Sequence, residues 1–296
     1  LTDPFRPATT VYGAAPQYLL RLAAWVSDPA LLNTRPLSPG HPDYLRPDYE
    51  SPVDERSFVV LARSLSAVAS WLVLPLIYIT ATLVYSRSTG LLATALSAAA
   101  PIAIQQAHFY TVDSFFLMLT TGAMVVILTS ARLPSVGWPV LSGLLIGAAA
   151  GTRIVGLLLL FSALIGEMGR TSGSTGSRFK KVFFGIRLWV VTGLAFGVLF
   201  ALQPYLLMDP QSLLHGTSHR DLFGAVQIAK GEVLRIWTLD YLHTIPYLYH
   251  WIDLFPAGVG WPLTITFVVG IALAVRRPTW DTVTILVWSG FYFGVI

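Results

Sequence analysis

Long apolar segments that are almost free of charge are the feature that most constrains this sequence. They occupy residues 57–85, 90–106, 112–131, 137–166, 183–202, 259–275 and 282–296. A membrane-spanning helix needs about 20 mostly apolar residues. A soluble domain carries about 25% charged residues, whereas this chain carries 11%. The composition therefore excludes a water-soluble globule and predicts an all-α, polytopic integral membrane protein.

The segment 137–166 is too long for one span and has Arg153 near its middle, so we expect two short helices meeting there. Pro101 is expected to break the segment 90–106. About eight transmembrane helices result, the last of them truncated. The predicted organisation is an outer loop (1–56) with an interfacial helix (11–26), a transmembrane core (57–202), an outer loop (203–257) and a truncated C-terminal transmembrane hairpin (258–296).

The loops alternate in charge along the chain. One set carries nine basic and two acidic residues, and the other carries ten basic and thirteen acidic residues. Basic residues concentrate in cytoplasmic loops, so we expect the first set of loops to lie on the cytoplasmic side of the plasma (inner) membrane. Both long loops and all six histidines then lie outside, and any chemistry belongs at the extracytoplasmic face. Residues 171–177 (TSGSTGS) are interpreted as a flexible inner linker.

Asp113 is the most informative single residue. It lies in HFYTVDSFF (108–116), at the outer mouth of the third span. Carboxylates inside apolar helices are costly and usually line a functional cavity, although a helix N-terminus also stabilises an anion. A site role and a capping role both remain open for Asp113. His108 could contact a ligand phosphate or a metal, or could be an ordinary interfacial histidine.

Arg153 lies in GTRIVG, between two glycines that allow close approach of a ligand. A guanidinium group suits a phosphate, while snorkelling to the headgroups is the alternative. Two further segments could line a cavity, QPYLLMD (203–209) with Gln203 and Tyr205, and TIPYLYHWIDLF (244–255) with Tyr247, Tyr249 and His250. The second segment is equally compatible with an aromatic belt at the membrane surface.

Taken in order, ARSLSA (62–67), HFYTVDSFF, GTRIVGLLLL, QPYLLMD and PYLYHWIDL resemble the GT-C membrane glycosyltransferases of the protein O-mannosyltransferase type. VYGAAPQYLL (11–20) resembles the interfacial segment of many bacterial members of this family, glycosyltransferase family 39. The resemblance implies transfer of a sugar from a polyprenyl phosphate to an extracytoplasmic hydroxyl, with inversion. It implies that Asp113 positions a substrate and that Arg153, where the family usually has lysine, binds the lipid phosphate.

The family also carries an acidic pair at the outer end of a first helix. Two interpretations stay open, that such a helix precedes Leu1 or that the chain is a relative without catalytic function. Asp54 and Glu55 form an acidic pair in the corresponding loop at a different position. Two alternatives to the enzyme therefore stay open, a non-catalytic subunit of a larger membrane complex and a transporter of lipid-linked anions. The predicted partners are membrane lipids, a polyprenyl-phosphate-linked sugar and neighbouring membrane subunits, without nucleic acid. No cofactor is certain. A divalent metal could assist the reaction, although no ligand set for it can be named.

Overall fold

The computed structural model describes residues 13–27, 55–208, 227, 232, 244–245 and 247–295. In these ranges the regular structure is entirely helical, which confirms the predicted all-α class. The α-helices are α1 (Ala15–Ser27), α2 (Glu55–Val84), α3 (Arg87–Ala98), α4 (Pro101–Ala107), α5 (Val112–Ser130), α6 (Gly137–Thr152), α7 (Leu159–Arg170), α8 (Thr175–Phe183), α9 (Ile186–Leu202), α10 (Tyr205–Met208), α11 (Phe255–Val259), α12 (Trp261–Arg276) and α13 (Trp280–Val295). A 3₁₀ turn (Ile154–Leu158) precedes α7, and a π turn (His250–Leu254) precedes α11.

Helix α5 is the centre of the bundle. It packs between α2 and α6, and α6 packs in turn on α9, while α7 packs on α13. The fully buried side chains of Leu128, Ile146 and Leu159 lie where α5, α6 and α7 meet. Because every helix around α5 is apolar, the core forms between helices while their outer faces stay apolar too, as expected in lipid.

Helices α6 and α9 approach closely because small residues line their contact. Gly143 and Gly147 are one turn apart on α6, and both are buried. A Cβ atom at Gly147 would lie 2.6 Å from the backbone oxygen of Ala195, and one at Gly143 would lie 2.7 Å from that of Val191. The two glycines therefore allow a backbone approach that a larger side chain would prevent.

In the described part of the chain, two helices are long and apolar enough to cross a membrane alone, within α2 and α5. The number is four if two bent pairs each count as one span: α3 with α4, bent by 64°, and 154–170 with α8, bent by 116°. Helices α6, α9 and α12 are apolar but shorter, at 16, 17 and 16 residues. The breaks predicted at Pro101 and Arg153 are confirmed, whereas the number of eight spans stays a prediction.

A buried ionic cluster fastens one end of the bundle. The Glu167 carboxylate on α7 accepts hydrogen bonds from Arg187 Nε, at 3.2 and 3.0 Å, and from Arg187 Nη2, at 3.1 Å. The same guanidinium group donates to Ser130 Oγ at 2.8 Å and to two carbonyls of the α5–α6 loop. At this end Arg132 also pairs with Asp281 at 2.7 Å. The cluster therefore ties α5, α7 and α9 together.

Helix α1 forms where the interfacial helix was predicted, at Ala15–Ser27 against residues 11–26. It contacts α2 and α6 through Pro16, Leu20 and Ala24, which are buried. The helix was predicted from a stripe of apolar residues at helical spacing within 11–26. Leu22 and Val26 of this stripe are exposed, so much of the stripe does not face the bundle. The location of α1 at a membrane surface stays a prediction.

Candidate functional site

Asp113 and Arg153 form an ion pair at the end of the bundle opposite the Glu167 cluster. Asp113 Oδ1 lies 2.5 Å from Arg153 Nη2. The Arg153 side chain is 21% exposed and that of Asp113 is 42% exposed. The sequence separates these residues by forty positions, so only the packing of α5 on α6 brings them together. Both side chains are therefore partly accessible to a ligand.

Local helix geometry explains where each charge lies. Asp113 is in the first turn of α5, after the N-cap residue Thr111, so the carboxylate lies near the positive end of that helix dipole. Arg153 ends α6 in an extended conformation, with φ −143° and ψ 127°. Its N–H donates to the Ala149 oxygen, and its carbonyl accepts from Gly156. Asp113 therefore has a favourable position on its helix and an ionic partner together.

Phe116 connects this pair to the C-terminal helix, a role that the sequence analysis did not assign. The guanidinium carbon of Arg153 lies 5.9 Å from the centroid of the Phe116 ring, within range of a cation–π contact. On its other side, Phe116 stacks on Tyr292 at 5.8 Å and contacts Trp288 at 6.2 Å. Helix α13 therefore forms a wall of the site. Phe116 belongs to the motif HFYTVDSFF without an assigned role, and no motif marked Tyr292.

Gln203 is buried directly behind Arg153. Its side-chain Nε2 donates to the backbone oxygen of Gly151 at 3.2 Å, and Gly13 N–H donates to the neighbouring Thr152 oxygen at 2.8 Å. A Cβ atom at Gly13 would lie 1.7 Å from the Gly151 oxygen. Gln203 was predicted to line the substrate cavity. That role stays a prediction, and in the structure the side chain also fixes the end of α6 that presents Arg153.

Tyr110 joins the α4–α5 loop to α1. Its hydroxyl donates to the Pro16 carbonyl, and its ring makes an edge contact with Phe115 at 5.5 Å. Burial raises the pKa of this hydroxyl from 10.0 to about 12, because the phenolate would lose solvation. Tyr110 therefore acts as a neutral donor that holds α1 beside the site. Its place in the motif HFYTVDSFF did not predict this role.

The remaining predicted residues near α5 are not part of the ion pair. His108 is exposed at the end of α4, and its Nδ1 lies 2.7 Å from the Ile104 oxygen. That contact supports the alternative reading of an ordinary interfacial histidine. Asp54 lies outside the described residues. Glu55 is the first residue of α2, and its side chain lies outside what the structure describes.

The predicted aromatic residues gather around Phe293 of α13. Ring centroids of Tyr247, His250 and Trp251 lie 5.5, 5.8 and 5.7 Å from that of Phe293. The hydroxyl of Tyr247, a residue with φ of 64°, donates to the Gly294 oxygen at 3.4 Å. Because Phe293 follows Tyr292, this aromatic cluster and Phe116, the ring that Arg153 contacts, pack against adjacent positions of one helix.

Two other predicted residues are less closely tied to the site. Tyr249 is next to the aromatic cluster, with its ring 6.4 Å from that of His250. Tyr205 begins the short helix α10 and is half-buried. The loop 203–257, which contains both of them, is largely outside the described residues.

An apolar groove adjoins the aromatic cluster. It measures about 510 Å³ and lies between Trp251 and one face of α12, with Trp261, Ile265 and Val268 among its lining residues. In the described part of the chain, no group of three or more histidine, aspartate or glutamate side chains is placed to bind a metal ion. The geometry thus offers a charged pair and an apolar groove, each beside aromatic side chains that contact α13.

Comparison with known families adds a decisive observation. The family model of dolichyl-phosphate-mannose-protein mannosyltransferases matches residues 42–203, more than half of the chain. The chain belongs to this family. The matched region contains α2 to α9, with both residues of the ion pair. Neither the curated proteins nor the solved structures include a significant match.

Membership in this mannosyltransferase family gives the helices and the ion pair a biochemical context. It supports a glycosyltransferase of the mannosyltransferase type, integral to a membrane, and confirms the resemblance drawn from the ordered motifs. Members of this family take their sugar from a donor carried on a lipid phosphate. The roles of individual residues are not part of that match.

Proposed function

We propose that this chain transfers a sugar from a polyprenyl phosphate to an acceptor hydroxyl at the extracytoplasmic face of the plasma membrane. The observation that carries the proposal is the Asp113–Arg153 ion pair, which lies at an accessible end of a membrane-type helix bundle within the matched family region. A partly exposed pair of this kind stabilises a protein by about 0–1 kcal/mol. The small gain in stability is therefore a weak reason for a charged pair at this position.

The proposed chemistry gives each charge one task. The acceptor oxygen attacks the anomeric carbon while the bond from that carbon to the phosphate oxygen breaks, which inverts the anomeric centre. Asp113 orients the acceptor hydroxyl and takes its proton. Arg153 binds the phosphate that leaves with the bonding electrons. A positioned general base contributes typically 10²–10⁴-fold to such a rate, and a cation stabilises the charge that develops on the leaving group.

The apolar groove beside the aromatic cluster fits the rest of the donor. Its lining by Trp251, Trp261, Ile265 and Val268 offers an isoprenoid chain an apolar surface. Phe116 contacts Arg153 and stacks on Tyr292, and Phe293, the next residue of α13, contacts Trp251 of the groove. In this arrangement the lipid tail lies along α12 and α13, and the phosphate reaches the guanidinium group.

The test is transfer of a radiolabelled sugar from polyprenyl-phosphate donors, in membranes that carry the full-length protein. We expect Asp113→Asn to lower the rate by about 10²–10⁴-fold and Arg153→Ala to abolish transfer. Asp281→Asn is the matched control, because it removes one charge from the Arg132–Asp281 pair at the other end of α5. Transfer that survives changes at both Asp113 and Arg153 would refute the site assignment.

The outcome also separates the two alternatives. A folded wild-type protein that transfers no sugar to any acceptor would favour a non-catalytic subunit. Movement of a lipid-linked anion across proteoliposomes without transfer would favour a transporter.

The proposed orientation has a separate test, because the chain contains no cysteine. We expect a maleimide that cannot cross membranes to label Gln105→Cys in intact cells. Gly176→Cys, near the opposite end of the bundle, should react only after lysis. The reverse pattern would place the ion pair on the cytoplasmic side and refute the proposed orientation.

A further inference from the structure

The short helix α8 and the start of α9 form an exposed surface that combines lysines with aromatic rings. We call it the basic aromatic surface. It consists of six exposed residues: Phe179, Lys180, Lys181, Phe183, Phe184 and Trp189. It lies at the end of the bundle opposite the Asp113–Arg153 pair, because α7 begins just after Arg153 and ends before α8. The proposed transfer reaction therefore gives it no task.

The orientation of α8 differs from that of the helices that cross the bundle. The helical segment 154–170 and α8 are bent by 116°, which is about 26° from a right angle. A helix that turns this sharply at the end of a span lies near the plane of the membrane surface. Amphipathic helices with basic and aromatic residues bind in that plane, at the boundary between headgroups and acyl chains.

Several contacts fix α8 in this position. Arg178 donates to the carbonyls of Gly173, at 2.7 Å, and Met168, at 3.1 Å, and its guanidinium carbon lies 5.1 Å from the Trp280 ring centroid. Trp189 Nε1 donates to the Phe183 oxygen at 2.8 Å. The helix is therefore held at both ends, and the orientation of its lysines and phenyl rings is set by the fold.

The aromatic rings form one continuous layer. The Phe179 and Phe183 rings are stacked at 5.7 Å, while Phe184 and Trp189 contact Phe183 edge-on at 5.5 and 5.8 Å. Phe184 is 81% exposed. In water these rings would be costly to expose, and within the hydrocarbon the adjacent lysines would be costly to bury. Only the headgroup boundary suits both kinds of side chain.

Charge selects which headgroups fit this surface. Residues 167–187 contain five basic residues and one acid, a net charge of +4. That acid is Glu167, which is buried and already paired with Arg187 and Arg170. Nothing acidic between 168 and 186 offsets the lysines. An anionic phosphate is the complementary group.

We propose that the basic aromatic surface binds acidic phospholipids of the bilayer. The headgroup phosphates contact Lys180 and Lys181, and the rings of Phe179, Phe183 and Phe184 enter the acyl boundary. Bound lipid anchors the loop between α7 and α9, and so holds Arg187 over Glu167. The surface would thus couple the composition of one leaflet to the stability of the bundle.

Binding is tested by native mass spectrometry of the delipidated full-length protein, titrated with phosphatidylglycerol or phosphatidylcholine. We expect phosphatidylglycerol to bind more tightly. Each lysine near an anionic surface is worth about fivefold in affinity, so Lys180→Gln/Lys181→Gln should weaken phosphatidylglycerol binding by about 30-fold. Lys180→Arg/Lys181→Arg should retain it. Arg276→Gln/Arg277→Gln, which removes an exposed basic pair at the end of α12, is the matched control and should change it far less.

The depth of the aromatic residues in the bilayer is a second readout, which does not depend on the lysines. A nitroxide on Phe184→Cys should lie within about 5–10 Å of the acyl boundary in nanodiscs that contain phosphatidylglycerol, and one on Gly176→Cys should stay in water. Gly176 has open space around its Cα, so it tolerates the label. Equal binding of both lipids, unchanged binding after the glutamine substitutions, or a water-exposed label at Phe184 would each overturn the proposal.

Discussion

Replacing Arg187 with alanine should cost this protein more stability than any other single change of a charged residue that we propose. The substitution removes three hydrogen bonds to the Glu167 carboxylate, at 3.0–3.2 Å. It also removes the donors to Ser130 and to the α5–α6 loop. Glu167 is only 6% exposed, so its charge would remain buried with fewer partners.

Breaking a buried ion pair by removing one partner costs about 3–5 kcal/mol. We therefore expect Arg187→Ala to lower the free energy of unfolding by about that amount. Arg170→Ala is the matched control, because Arg170 makes one bond to the same carboxylate, at 3.3 Å, and is 35% exposed. An exposed pair contributes about 0–1 kcal/mol. Equilibrium unfolding in mixed detergent micelles measures both variants.

The double variant Glu167→Met/Arg187→Met separates the cost of an unpaired charge from that of lost packing. It leaves no buried charge, so it should be more stable than Arg187→Ala despite carrying two substitutions. Similar losses for Arg187→Ala and Arg170→Ala would show that the buried cluster contributes no more than a surface pair. A double variant less stable than Arg187→Ala would refute the reasoning about the unpaired carboxylate.

Three further predictions concern packing and the α1 contact. Gly147→Ala should destabilise the protein by about 1–3 kcal/mol, because the new Cβ would lie 2.6 Å from the Ala195 oxygen. Gly197→Ala is the control, because its Cβ would have nothing within 4 Å. It should be neutral or mildly stabilising in the same unfolding assay. Tyr110 has a folded-state pKa above its ordinary value, so its contribution to stability should be intact below pH 10 and lost as the pH rises toward about 12. Tyr110→Phe should remove this part of the pH dependence of unfolding. An unchanged pH dependence in the variant would contradict the assignment to Tyr110. Gly13→Ala should release α1 from the end of α6, because its Cβ would lie 1.7 Å from a backbone oxygen; limited proteolysis within α1 should accelerate.

Part of the fold and of the site was predictable from local sequence alone. Arg153 interrupts an apolar run too long for one span, and the structure has α6 end at Thr152 and a 3₁₀ turn follow. Asp113 was expected at a helix mouth and occupies the first turn of α5. Both features depend on residues within one or two turns, which is the range over which a single sequence carries reliable signals.

Features that depend on packing between helices were not predictable. The contact between Asp113 and Arg153 requires α5 and α6 to lie side by side, and nothing local to either residue specifies that. Glu167 and Arg187 were counted as loop charges, because a hydropathy pattern assigns a side of the membrane but not a depth of burial. The stripe on α1 marked apolar residues correctly, but it could not tell a protein face from a lipid face.

The interpretation of residues 171–177 as a flexible linker was wrong in its second half. Helix α8 begins at Thr175, within the Gly- and Ser-rich run. The composition of that run disfavours a helix. Tertiary contacts of Arg178 with Gly173 and Met168 override this preference. Because α8 is a helix, it holds most residues of the basic aromatic surface in fixed positions.

The claim that the Asp113–Arg153 pair carries out chemistry, and does not only brace two helices, is tested most directly by exchanging its charges. Asp113→Arg/Arg153→Asp keeps an ion pair between α5 and α6, although an arginine in the first turn of α5 should cost about 0.3–1 kcal/mol through the helix dipole. Unfolding and sugar transfer are measured on the same membranes. The account predicts a folded protein without transfer, because the carboxylate and the cation have changed places. Transfer near the wild-type rate would show that the pair is structural and would contradict the account.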